Sequence, residues 1–274
     1  MVPASFRLFR LFGVEVRAHQ TFVVFVVLVI AWILVVGDAG LEAVLLAVLV
    51  VFLLLHELGH ALAARLMGVE VHDILLLPLM GMARLRNLPE RAKPEIVIAL
   101  AGPAANLLAA GATLGVAAAF GDVRDAYARP TESVIAVVFW VNAAMGVFNL
   151  IPAFPMDGGR VLRGLLAVRL DYVAATRAAA IVGSVILVGL GVLAWVFDPS
   201  PMVAFVVVVL VILGRREVQA AERRAKARRI DAMREHLAEE VAGAAPGAID
   251  LRLRNDPEMR EEFERYREEL ERGE

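Results

Sequence analysis

The sequence predicts an all-α polytopic membrane protein. It has about six transmembrane helices, a short membrane-associated β segment and a charged cytoplasmic helical tail. Three observations carry this reading. The 274 residues are 59% hydrophobic, with a mean hydropathy of +0.69, too apolar for a soluble globular domain. Apolar runs of spanning length recur between short polar links. From Arg215 onward the composition turns polar and charged. The net charge of -2 leaves no nucleic-acid footprint. The chain has no Cys, so any metal must be held by His and carboxylate.

Residues 1–20 mix Arg7, Arg10 and Arg17 with Phe6, Phe9 and Phe12 and read as an interfacial segment. The transmembrane domain follows over residues 21–213, its catalytic core at about 41–170. Thr21–Val36 is nearly all apolar and lacks a small-residue cleavage site after it, so it reads as a retained first span. Gly37–Glu42 is a mildly acidic link to a second span at Ala43–Met67. Val69–Arg86 is rich in Val, Ile and Leu and holds Pro78 and Gly81, which predicts a strand or hairpin at or dipping into the membrane. The third span, Glu95–Phe120, carries Gly102-Pro103 as a helix interruption before Asn106. It also carries Gly111 and Gly115 at the spacing of close helix packing. After a polar loop at Gly121–Glu132, Ser133–Ile151 forms a fourth span with Asn142, Gly146 and Asn149 on one face. Pro152 and Pro155 stop it. Val161–Leu170 is an amphipathic segment, and Ala174–Phe197 and Met202–Leu213 are the fifth and sixth spans. Residues 214–274 form the cytoplasmic tail, two charged helical stretches around a Gly/Ala/Pro linker at 241–248.

The chemistry concentrates in the second span. Positions four apart share one face of a helix, so His56 and His60 can bind one metal ion together. Glu57 lies on the adjoining face, within reach of a water on that metal, as in the H-E-x-x-H arrangement. Three ionisable groups in five positions of an apolar helix need compensation, because each costs about 2.5–3.5 kcal/mol in a membrane. A metal supplies it. A catalytic zinc site takes three protein ligands and leaves one position open. Asp157 is the third candidate, with the cap of the 161–170 helix as its other reading. Asn149 is a donor to a substrate carbonyl or a developing oxyanion, or else an interhelical hydrogen-bonding residue. His72 reads as an ordinary loop residue.

His56-Glu57-Leu58-Gly59-His60, taken with Asn149-Leu-Ile-Pro152-Ala-Phe-Pro155-Met-Asp157-Gly158, resembles the site-2 protease family of intramembrane zinc metalloproteases. Gly102-Pro103 with Asn106 also resembles that family's third-span signature. The likeness covers roughly residues 15–170. It implies one Zn2+ per chain held by His56, His60 and Asp157, with Glu57 activating the water. It also implies a single-span transmembrane protein as substrate, cut inside the lipid bilayer. Asn106 and Pro155 are the substrate-binding candidates. The family's Pro-x-Gly-Gly segment is here Pro78-Leu79-Met80-Gly81, which bears on how a substrate strand is held. The other readings are a metal-ion transporter and a catalytically inactive scaffold. The sequence leaves open whether copies associate as a homo-oligomer.

Lys and Arg mark the cytoplasmic ends. They cluster in the N-terminus, the 84–93 link, the 160–169 segment and the start of the tail, whereas 37–42 and 198–201 have none. Six spans in the cell membrane with both termini cytoplasmic satisfy this pattern. His60 and Asp157 then share the cytoplasmic half of the bilayer. Single Cys residues replacing Asp38 and Asp125 should therefore react with an impermeant thiol reagent in intact cells. Those replacing Lys93 and Arg216 should react only in opened membranes. The reverse pattern would invert the orientation.

Overall fold

The computed structural model describes residues 5–35, 40–78, 80–86, 91–119, 133–197 and 199–243, with Pro257 and Arg260. The 37–39 part of the first link, the 121–132 loop, and the tail linker and last helix expected beyond 243 lie outside them, apart from those two residues. The chain divides into two compact units, Met1–Val218 and Gln219–Glu274. The site is built in the first.

Seven helices are described: α1 (Gln20–Val35), α2 (Leu41–Leu66), α3 (Ala92–Ala119), α4 (Val134–Asn149), α5 (Asp157–Leu166), α6 (Tyr172–Phe197) and α7 (Pro201–Gly243). By length and composition, Glu42–Leu66, α3 and α6 are long and apolar enough to cross a membrane. The apolar helices α1 and α4 are shorter. At 16 residues each they reach roughly 24 Å at 1.5 Å per residue. α4 starts where the Ser133 side chain accepts a hydrogen bond from the Ala136 amide at 3.1 Å. α7 passes residue 213 without a break, so the apolar sixth segment and the start of the charged tail form one helix.

Two expectations of secondary structure are corrected, that strands are confined to Val69–Arg86 and that the third helix is interrupted at Gly102-Pro103. The N-terminal segment is a β-hairpin, β1 (Ser5–Leu11) and β2 (Val14–His19). It joins the expected hairpin, β3 (Glu70–Leu77) and β4 (Met80–Arg86), in a four-stranded sheet of order β1-β2-β3-β4. The β2–β3 pair is parallel, with Val16 opposite Ile74, and parallel strands need a long crossover. α1 and α2 provide it. Val14, Val16 and Ala18 alternate inward and pack with Ile74 and Leu76 against Leu58 and Ala61 of α2. The second correction concerns Gly102-Pro103, where α3 is unbroken. Proline withholds one ladder bond, yet leaving the helix would strand several more backbone groups away from water. Gly111 and Gly115 have open space beside them, so the described chain does not use them for packing.

Across the β3–β4 hairpin, Arg84 Nε donates to the buried Asp73 Oδ1 at 2.5 Å. At the other hairpin, the tip is Phe12-Gly13, with φ of +47° and +76°. Two left-handed residues define a tight turn that favours Asn first and Gly second, and Phe12 is 68% exposed. A left-handed conformation costs an ordinary residue about 1–2 kcal/mol. Phe12→Asn should therefore raise the thermal unfolding midpoint in detergent by about 2–4 °C. A lower midpoint would show that the Phe12 ring makes contacts outweighing the preference of the turn.

Candidate metal centre

His56 and His60 lie one turn apart on α2, their rings edge to face at 4.7 Å between centroids. Asp157 arrives from a different segment, as the first residue of α5 after the proline-bounded loop. Met156 is the residue preceding that helix, so Asp157 does not cap it. All three side chains are buried: His56 and His60 are each 4% exposed and Asp157 7%. His56 Nε2 is 3.1 Å from His60 Nε2 and 3.1 Å from Asp157 Oδ2. His60 Nε2 is 3.0 Å from the same oxygen. Among the described residues this is the group that can hold a metal ion.

The outer ring nitrogens decide what the inner ones carry. His56 Nδ1 faces Asn106 Oδ1 at 2.5 Å, and His60 Nδ1 faces the Ile98 carbonyl at 2.7 Å. Both partners are acceptors, so each Nδ1 bears a proton and each neutral imidazole turns an Nε2 lone pair inward. Two lone pairs and a carboxylate oxygen then meet at about the spacing of a tetrahedral ligand set. Bonds of about 2.0–2.1 Å imply ligand separations of roughly 3.3 Å. A proton between two of these atoms would leave the third facing a like charge density. A divalent cation satisfies all three.

A second layer fixes these donors. Asn106 Nδ2 donates to Asn142 Oδ1 at 2.9 Å and to the Phe52 carbonyl at 3.4 Å, which orients Oδ1 toward His56. Asn142 Nδ2 donates in turn to Val138 O at 2.8 Å. Arg160 Nη1 donates to Asp157 Oδ1 at 3.2 Å, leaving Oδ2 for the cluster. Burial opposes the charge on Asp157. The nearby Arg160 charge favours the ionised form. Gly102 supplies room: a Cβ there would run into the Nε2 atoms of both imidazoles.

Glu57 sits beside the cluster, 6% exposed. Its Oε2 accepts the Ala83 backbone N–H of β4 at 2.8 Å. Gly81 lies so close that a Cβ would collide with the Glu57 side chain. The Pro78–Gly81 stretch thus keeps glycine where β4 meets the carboxylate.

The donor group does not include the other expected residues. Asn149 ends α4 with Nδ2 on its own Met145 carbonyl at 2.9 Å. Pro155 is half-buried in the loop before Asp157. Asn106 is fully buried, and the bonds just described engage both ends of its amide. His72 lies on β3, its side chain 53% exposed and 4.0 Å from Asp73. Sequence reasoning put Asn142 on a polar face of its helix but not at the site. An intramembrane amide ten residues before Pro152 was the available signal. It missed Ala83 and Ile98 altogether, since a backbone group acting on a side chain leaves no trace in residue type.

The family model described as Peptidase family M50 matches residues 44–126 and 121–190. Zinc metalloprotease MJ0392 of Methanocaldococcus jannaschii is 37% identical over 180 residues, 65% of this chain and 50% of that protein. Putative zinc metalloprotease Rip3 of Mycobacterium tuberculosis is 38% identical over 141 residues, 50% of this chain and 33% of that protein. The chain thus spans half the length of the first relative and a third of the second. A solved structure, the Site-2 Protease from Methanocaldococcus jannaschii, is similar with a TM-score of 0.58 and 31% identity. That likeness covers 78% of this chain and 95% of that one.

The second layer makes a prediction of its own. Asn106→Ala removes the acceptor of the His56 Nδ1 proton, so zinc affinity should fall about 10–100-fold. Competition with a chromophoric chelator measures it. Unchanged affinity would mean that Asn106 does not orient His56.

Proposed function

The chain belongs to peptidase family M50, and on that footing we propose that it is an intramembrane zinc metalloprotease cutting transmembrane segments of membrane proteins. The observation that carries the proposal is the meeting of His56, His60 and Asp157, with the Glu57 carboxylate fixed beside them by a backbone amide. Zinc held by the three donors would polarise the scissile carbonyl and make a water acidic near neutral pH. Glu57 takes a proton from the attacking water and returns it to the leaving amine. Its anchored Oε2 keeps the carboxylate aimed while Oε1 does the exchange.

Asn149 is the candidate oxyanion donor. One Nδ2 hydrogen is used by Met145 O, and the other is for a substrate carbonyl. The buried amide network supports a positioning role for Asn106 in place of substrate contact. Pro155, in the loop that delivers Asp157, is kept as a substrate-side position.

The substrate reading follows from lipid physics. A single-span segment is helical, its peptide bonds paired and shielded, so it must unwind before a carbonyl can reach the site. Unwound backbone needs new partners, and β4 is an edge strand beside Glu57. Extended substrate pairing there would be presented to the proton-transferring carboxylate. Six spans, cytoplasmic termini and a site in the cytoplasmic half of the bilayer complete the reading, supported by the distribution of Arg and Lys. A metal-ion transporter would also set His and Asp on facing helices, but it has no use for a carboxylate held one residue from the first ligand.

Glu57→Gln should lose proteolysis of a single-span substrate in detergent and keep its zinc. Asp157→Ala should lose both, and His72→Ala neither. Zinc content and cleavage are measured on the same preparations. Cleavage by Glu57→Gln at the wild-type rate would remove Glu57 from the mechanism, and loss of zinc from His72→Ala would replace Asp157 as the third ligand.

A further inference from the structure

A second polar constellation lies beyond the metal donors. Arg163 of α5 is 3% exposed and Glu95 of α3 is 1% exposed. Arg163 Nε donates to Glu95 Oε1 at 2.7 Å, and Nη2 approaches the same oxygen at 2.5 Å. The guanidinium lies between two rings, 5.1 Å from the centroid of Phe154 and 4.9 Å from that of Tyr172. Nη1 faces Glu217 of α7 at 3.8 Å. A charge pair this deep is a costly feature. Desolvation offsets most of its attraction, and apolar replacements of similar volume are often as stable or more so. The mechanism proposed above uses neither residue.

Their placement gives them a use. Glu95 belongs to the same turn of α3 as Ile98, whose carbonyl holds His60 Nδ1. Arg163 is on the short helix that begins with Asp157, and its ring neighbour Phe154 is in the loop that delivers Asp157. Gly164, next along α5, packs against Ile96 of that same α3 turn. One turn of α3 thus references both a histidine ligand and the helix bearing the carboxylate. We infer that the Glu95–Arg163 pair is a positioning pair, which sets Asp157 Oδ2 at bonding distance from the imidazoles and is kept for this geometry and not for stability. The inference rests on the metalloprotease reading of the site.

The test separates geometry from stability. In the full-length chain, Glu95→Leu combined with Arg163→Met removes both charges and keeps an apolar filling. Thermal unfolding is followed on zinc-free protein, and zinc affinity by chelator competition. The double variant should unfold at or above the wild-type midpoint yet bind zinc about tenfold or more weakly. Residual cleavage should show the loss in kcat and not in KM. Arg163→Lys keeps the charge but loses the two-nitrogen hold and the planar stacking. It should bind zinc with intermediate affinity. Zinc affinity unchanged in the double variant, or in Arg163→Lys if the double variant does not fold, overturns the inference. So does an affinity that falls only in step with zinc-free stability. A wild-type chain that binds no zinc would instead remove the metalloprotease reading, and this inference with it.

Discussion

Three electron-pair donors held 3.0–3.1 Å apart in a buried space are the constraint that the rest of the fold answers. Without a cation they repel one another. The chain therefore spends much of its buried polarity on keeping them together. α3 supplies the Ile98 carbonyl for one imidazole and the Asn106 amide for the other. The Gly102 backbone, with no side chain of its own, closes over both. Asp157 is brought in by a loop and a short helix, with Arg160 on its second oxygen. Each contact concerns the direction of a lone pair more than the burial of area.

The sheet answers a different need. The proton-transfer role proposed for Glu57 needs a carboxylate that stays aimed, and a Glu on a helix flanked by lipid-type residues has few partners to aim it. β4 provides one through the Ala83 N–H. β4 is in turn held by β3, and β3 by the N-terminal hairpin through a parallel pairing that α1 and α2 must close. The inward row Val14, Val16 and Ala18 then seats the sheet on Leu58 and Ala61, residues of the same helix turns that carry Glu57 and His60. Sheet and metal helix are thus one packed unit, and backbone geometry far from Glu57 in sequence fixes its side chain.

Much of the candidate metal centre was legible in residue order because a helix repeats. The four-residue spacing of His56 and His60 sets their shared face whatever surrounds them. The hairpin at Val69–Arg86 was legible in its branched apolar content. The N-terminal strands were not. β1 carries a register irregularity between Arg7 and Phe9, which spoils its alternation, and its exposed Phe and Arg residues suit an interface equally well. The cleaner alternation of Val14, Val16 and Ala18 was the signal that could have revealed the second strand. Gly102-Pro103 was misread because glycine and proline punctuate helices in water. Inside a helix packed this closely, the glycine makes space for imidazoles and the proline is tolerated. The roles of Asn106, Asn142 and Arg163 depend on which helices touch, and single-chain periodicity carries no such information.

The claim on which all of this depends is that two imidazoles and one carboxylate close on a single zinc. X-ray absorption at the zinc edge of the purified chain tests it most directly. The account predicts one zinc per chain, a first shell of nitrogen and oxygen at about 2.0–2.1 Å, and outer-shell scattering from two imidazoles. A folded chain that takes up no zinc, or a shell with three imidazoles, would contradict it.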